Sequence, residues 1–330
     1  MAKRAKKVKT QAELDREVRA ERLKRFRILV CVDGSEESFQ GVRFARKFMD
    51  NRECDIVLLY VRRIDQGMNS GGLQMRVARQ NLLDWGLELP GIEYLKKARD
   101  LLIEDSELKS RWKRKFAHSD VFGDPLGDNK VEYRSPRGRG LVLKLKTAPD
   151  VPGGILHQTE LGPYNLVITG PPQHWSHGWR YYVDPNIVQK VSRLAPGGVM
   201  AVRDYEPGSG FMLTFDGTAR NARHMRRGAV LANYLEEEVV LFSAVDPKSD
   251  VTDRKAYLES IAEMYASDGI KVADIRLARG RPAEQVLQYG SNCSAIVVSD
   301  TANSRFTRFF RSSIAFNIMG QARITVLNLH

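Results

Sequence analysis

Apolar residues along this chain fall into short runs separated by longer stretches of mixed polarity. Phe26-Arg27-Ile28-Leu29-Val30-Cys31-Val32 is one such run, and it ends in Asp33-Gly34-Ser35. A short run of this kind, closed by turn formers, predicts a buried strand entering a tight turn. Ser35 is placed to cap a helix that carries Phe39, Val42, Ala45 and Phe48 on one side. Residues 55–61 form a second apolar run. Strand, turn, helix and strand make a βαβ unit, which demands a right-handed crossover and a parallel sheet.

The same pattern returns later. Phe211-Met212-Leu213-Thr214-Phe215 leads into Asp216-Gly217-Thr218, then a helical stretch has Met225, Ala229 and Ala232 in phase, and residues 239–245 form the next run. The two copies also end alike. Residues 166–170, 187–194 and 199–202 predict strand, helix and strand, and residues 295–299, 314–319 and 324–329 repeat them. Agreement in order, spacing and turn chemistry predicts an internal duplication with a long unit, hence two domains and not a solenoid. Glu206-Pro207-Gly208-Ser209-Gly210 reads as the linker. The domains then cover 26–205 and 209–330, behind an arm and helix over 1–25. The first copy has extra material over 67–80 and 105–139. The second stretch contains Phe122-Gly123-Asp124-Pro125-Leu126-Gly127-Asp128, rich in turn formers, and reads as a long loop.

Composition narrows the class. The 330 residues are 42% hydrophobic and 28% charged, enough for two cores and unlike a disordered chain. No apolar run approaches the roughly 18–20 residues that cross a bilayer, so no transmembrane segment is expected. The basic N-terminus has no apolar stretch behind it, as a secretory signal would, and four acidic residues among the first 25 argue against a transit peptide. A cytoplasmic location is expected. Cys31, Cys54 and Cys293 are too few and scattered for a disulfide framework or a zinc site, and read as buried thiols in a reducing compartment.

Of the net charge of +12, half sits in residues 1–25, where ten Lys/Arg face four Asp/Glu. Lys3, Arg4, Lys6, Lys7 and Lys9 form a basic arm. Thr10 and Glu13 have the form of a capping box, opening a polar helix over 10–25 with a thin stripe of Ala12, Leu14, Val18 and Leu23. The arm could contact phosphate backbones or an anionic membrane surface. Without interleaved aromatics, base stacking is not suggested.

A strand ending in V-D-G-S-E-E-S, then a helix and an L-L-Y-V strand, resembles the opening of universal stress protein domains. The second copy has F-D-G-T there, and later Gly280-Arg281-Pro282-Ala283-Glu284-Gln285-Val286-Leu287 and a final S-S-I-A…A-x-I-T-V-L, also similar to that family. The resemblance covers both copies. It implies two tandem doubly wound, Rossmann-like α/β domains, each an open five-stranded parallel sheet of order 3-2-1-4-5 with helices on both faces. It also implies pairing through the last strand, here within one chain as a pseudo-dimer, with further homodimerisation open. In many members ATP binds beyond the C-terminal strand ends, where doubly wound sheets generally take ligands.

On that resemblance, an adenine nucleotide (ATP or AMP) in the second domain would meet Asp216, Gly217 and Ala244 and the loop at Ser299, Ala302, Ser312, Ser313 and Ile314. The family loop is G-x-x-G, nine residues, then G-S or G-T. Here its glycines are replaced by small residues, while Arg305, Arg308 and Arg311 could neutralise phosphate. In the first domain the corresponding residues are Asp33, Val61 and Gly170, but Pro171-Pro172 removes two backbone donors. His174 and His177, beside Trp175 and Trp179, lack a third metal ligand and read as loop or interdomain residues. No nucleophile elbow, P-loop lysine, zinc spacing or kinase signature is present. The expected function is a stress-response regulator that senses adenine nucleotide and is not an enzyme, any ATP hydrolysis being slow. The alternatives are a nucleic-acid- or ribosome-associated protein acting through the arm, and a scaffold that binds no nucleotide.

Overall fold

The computed structural model describes residues 11–49, 54–64, 90–122, 124–170, 191–192, 195, 197–203, 205–247, 250–299 and 314–330. The first half runs α1 (Gln11–Leu23), β1 (Phe26–Cys31), α2 (Glu36–Arg46), β2 (Cys54–Arg63), α3 (Pro90–Leu102), α4 (Asp105–Arg111), β3 (Lys113–Val121), β4 (Asp124–Arg134), β5 (Gly140–Ala148), α5 (Val151–Glu160), β6 (Leu166–Thr169) and β7 (Gly198–Ala201). The second runs β8 (Phe211–Thr214), α6 (Ala219–Tyr234), β9 (Val239–Val245), α7 (Thr252–Ser267), β10 (Val272–Arg279), α8 (Pro282–Gly290), β11 (Ala295–Ser299), α9 (Ile314–Gln321) and β12 (Thr325–Leu329).

All twelve of these strands join one sheet of order β10-β9-β8-β11-β12-β7-β6-β1-β2-β5-β4-β3. Its two halves, β5-β2-β1-β6-β7 and β10-β9-β8-β11-β12, are each parallel and each have the order 3-2-1-4-5. The central strands are buried on both faces, which is why they read as unbroken apolar runs. One face packs Phe39 and Val42 of α2, Ile92 and Leu95 of α3, Met225 and Ala229 of α6, and Leu258 and Ile261 of α7. The other packs Ile155 of α5, Val286 of α8, and Ala315 and Ile318 of α9.

The halves meet at their last strands. β7 and β12 are antiparallel, with Val326 opposite Ala201 and Leu327 opposite Met200, so two open edges close on each other. Arg203 crosses this seam, donating to the carbonyls of Met319 (2.6 Å) and Ile324 (3.3 Å). Aromatic rings continue the join between α2 and α6. Phe48 stacks on Tyr234 at 5.2 Å, and Tyr205 packs edge-on against Phe44 at 5.0 Å. The linker is held by Glu237, a buried carboxylate that accepts from the backbone N–H groups of Gly208 (3.0 Å) and Gly210 (3.2 Å), Tyr205 Oη (2.7 Å) and Ser294 Oγ (3.3 Å).

The long loop expected over 105–139 is instead helix α4 and an antiparallel hairpin, β3–β4, that extends the sheet beyond β5. Phe116, Val131 and Tyr133 turn into the core at alternate positions. The turn formers at 122–128 tighten its tip. There Asp124, fully enclosed, pairs with Arg62, and Asp128 accepts from the Thr147 N–H (2.7 Å) and Lys146 Nζ (3.2 Å). The arm residues Lys3, Arg4, Lys6, Lys7 and Lys9, the Thr10 cap, and residues 67–80 lie outside the described residues.

Candidate functional site at the rim of the second repeat

β8 ends one residue before Phe215, and Asp216 turns the chain. Its Oδ1 accepts from the Thr218 N–H and Oγ1, both at 2.8 Å. Thr218 Oγ1 accepts from the Asn221 N–H at 3.2 Å, capping α6. Gly217 between them sits at φ 87°, the left-handed region that glycine enters without a Cβ penalty. Asn221, buried inside the first turn of α6, ties the corner together. Its Oδ1 accepts from the Asp216 N–H (3.3 Å), while Nδ2 donates to the Thr214 carbonyl (3.1 Å) and Ser299 Oγ (2.8 Å). The last residue of β11 is thereby fixed beside the turn after β8. Ala244 stands half-buried one residue before the end of β9, at the same C-terminal rim. Ile314, half exposed, opens α9. Ala302, Ser312 and Ser313 lie outside the described residues.

The first copy repeats the turn. Asp33 Oδ1 accepts from the Ser35 N–H (2.9 Å) and Oγ (2.5 Å), Ser35 Oγ accepts from the Ser38 N–H (3.1 Å), and Gly34 sits at φ 90°. Gly170, after β6, lies against the first turn of α2: a Cβ built there would sit 3.7 Å from the Ser38 nitrogen. Val61, near the end of β2, is covered by Gly154 of α5, which has no room for a side chain.

What stands over the turn differs between the copies. In the first, the ring of Tyr94 lies directly on Gly34, and Tyr60 packs beside it with centroids 6.0 Å apart. In the second, the guanidinium of Arg254, from the first turn of α7, lies across Gly217. Among the described residues its enclosed Nη1 makes no hydrogen bond, and neither does the enclosed hydroxyl of Tyr257, one turn further on. Burial raises the Tyr257 pKa; the Asp216 carboxylate raises it further, against the opposing charge of Arg254. Buried polar groups are normally satisfied, so two donors left unpaired among the described residues, beside a carboxylate, single this corner out. An adenine nucleotide, with anionic phosphates and hydroxyl donors, suits that set. The corner of the first copy puts a phenol ring, not a cation, over its glycine.

The sequence pointed to Asp216, Gly217, Ala244 and Ser299 but not to Asn221, Arg254 or Tyr257. A signal existed for Asn221: it follows Asp216 at the interval by which Ser38 follows Asp33, a polar residue on the inward face of each helix. Nothing local marks Arg254. Among the described residues, no cluster of three or more His, Cys, Asp or Glu could hold a metal, and no helix is long and apolar enough to cross a membrane.

These features define a tandem doubly wound α/β protein whose second repeat carries a polar corner at the C-terminal rim of its half of the sheet. No family model matches the sequence, and no curated protein sequence matches it. Among solved structures, a universal stress protein from Archaeoglobus fulgidus DSM 4304 is similar with a TM-score of 0.54 at 13% identity, over 92% of this chain and 97% of that one. A protein from Pseudomonas aeruginosa UCBPP-PA14 given the same family name matches with a TM-score of 0.54 at 13% identity, over 94% of each chain. A functionally unknown protein from Pseudomonas aeruginosa PAO1 matches with a TM-score of 0.53 at 14% identity, also over 94% of each. The chain therefore has the universal stress protein fold, written twice.

Proposed function

We propose that this chain is a cytoplasmic, universal-stress-protein-like regulator that binds an adenine nucleotide at the rim of its second repeat and responds by binding, not by catalysis. The observation that carries the reading is the meeting of the Asp216 turn, the Asn221–Ser299 tie and the unpaired donors of Arg254 and Tyr257 at one corner. Asp216 would accept from sugar hydroxyls. Arg254 would neutralise phosphate, and Ala244 would leave room for the base. Ser299, Ala302, Ser312, Ser313 and Ile314 would supply the phosphate-side backbone and hydroxyls.

Isothermal titration of the full chain with ATP and AMP tests the reading. Binding should weaken about tenfold or more in Arg254→Ala, the loss of one charge-assisted contact. No heat and no thermal shift at millimolar nucleotide would remove the nucleotide and leave a scaffold.

A second reading, association with nucleic acid, is favoured by one observation. Lys113 and Lys115 of β3, both exposed, share one face of the added hairpin with Lys130 of β4. RNA retention that falls steeply with salt, and falls again in Lys113→Ala/Lys115→Ala, would support it.

A further inference from the structure

A groove of about 370 Å³ opens where α6 leans over the seam, away from the Asp216 turn. Both halves of the chain build it. Phe26 and Leu166 come from the N-terminal ends of β1 and β6, Leu327 and Leu329 from β12, and Val230 and Leu231 from α6. The antiparallel β7–β12 pairing causes this arrangement, since it brings the end of β12 beside the starts of the first-half strands. Val230 is 56% exposed, so apolar surface is left open to water.

One wall is cationic. Arg223, Arg226 and Arg227 project from α6 at positions that share a side of the helix. Arg226 is engaged with Asp268 (2.9 Å), and Arg227 donates to the carbonyl oxygen of His330 (2.8 Å). Among the described residues, Arg223 has neither an ion pair nor a hydrogen bond, and Arg220 lies one turn before it. His224, packed beneath them with its Nδ1 unpaired, has its pKa lowered first by burial and then by the charges of Arg220 and Arg227, with His330 and Arg223 adding to them. With Arg226 and Arg227 engaged, Arg223 is the cation left without a partner among the described residues.

We propose that this seam groove binds a small amphiphilic anion, an aliphatic chain or ring carrying a single carboxylate or phosphate head. The apolar body would lie on Phe26, Leu166 and Leu327, and the head would pair with Arg223. A guanidinium fork suits either head, and the size falls within the range of small-ligand sites. Asn165 also lines the groove, its Oδ1 accepting from the Arg27 N–H at 2.9 Å.

The test is calorimetric titration of the full chain with decanoate, decyl phosphate and decanol, at low salt (about 50 mM) so that the charge is not screened. Either anion should bind, decanol at least about tenfold more weakly, and Arg223→Ala should lose about 10- to 100-fold, as expected for a hydrogen-bonded charge. Which anion is tighter identifies the head group. Leu231→Trp, its fold checked by circular dichroism, should block binding by filling the groove while leaving the arginines in place. Prior saturation with ATP should leave decanoate still able to bind, since the two sites are separate. Equal affinity for decanol and decanoate, an unaffected Arg223→Ala, competition with ATP, or no heat with either anion would each overturn the proposal.

Discussion

Glu237 offers the sharpest check on how the two repeats are joined. Its side chain is 5% exposed and receives four donors: the N–H groups of Gly208 and Gly210, the Tyr205 hydroxyl and the Ser294 hydroxyl. In Glu237→Ala, Gly208 and Tyr205 can turn to water, but Gly210 and Ser294 are buried and would be stranded. Each stranded buried donor costs about 1–3 kcal/mol, so the variant should lose about 2–6 kcal/mol. Glu237→Gln keeps one acceptor but turns an amide N–H₂ toward these donors, and should fall between the variant and the parent. Urea denaturation reads the loss as a lower midpoint at unchanged slope. Because the carboxylate pins the linker, the Gly208 and Gly210 amides should also exchange with heavy water faster in Glu237→Ala. A loss below about 1 kcal/mol, with no faster exchange at Gly208 and Gly210, would refute the assignment of Glu237 as the clasp.

Gly34→Ala and Gly138→Ala both place a side chain at positive φ (90° and 86°), but only Gly34 has a ring against it. Thermal unfolding should show about 1–2 kcal/mol lost at Gly138, from strain alone, and clearly more at Gly34, where Tyr94 must move. Lys144 has its pKa pushed down to about 8, first by burial, with Asp128 opposing. Below pH 8 it is charged folded and unfolded, and carries its full burial cost; between about 8 and 10.5 the unfolded chain binds more protons, so its contribution to stability rises with pH. Lys144→Met should therefore be more stable than the parent at pH 7, by about 3 kcal/mol at most, with the difference shrinking toward pH 10. Burial pushes the thiols of Cys31 and Cys54 up to about 12, so neither should react with iodoacetamide at pH 8 until urea unfolds the chain.

The parts of this architecture that were legible in the sequence are those where burial leaves a local mark. β1, β8 and β11 are enclosed on both faces, and their apolar runs announce it. The aspartate turns carry their own chemistry, because the Asx hydrogen bond and the helix cap are made within five residues. The hairpin β3–β4 was not legible. Its outer face alternates Lys, Arg and Asp with inward Phe116, Val131 and Tyr133, a weak pattern beside the strong turn signal at 122–128. Arg254 and Tyr94 escaped for another reason. Each comes from the helix after the second strand of its repeat and crosses back to a glycine far away in sequence, so only the folded chain shows that one corner carries a cation and the other a phenol ring.

The antiparallel seam has a mechanical consequence. Because β7 and β12 run oppositely, the C-terminal rims of the two repeats face opposite edges of the sheet, and nothing bound at Asp216 can touch the Asp33 turn. The helices that begin at these turns nevertheless converge. α2 leads from the Asp33 turn to Phe48, α6 leads from the Asp216 turn to Tyr234, and those two rings stack with their planes 6° apart. α6 thus borders the proposed nucleotide corner through Asn221, the seam groove through Arg223 and Leu231, and the first repeat through Tyr234. Close-packed interiors transmit small shifts instead of absorbing them. Any displacement of α6 at one of these three places must therefore be taken up at the other two, with the Phe48–Tyr234 stack as the point of transfer between the repeats.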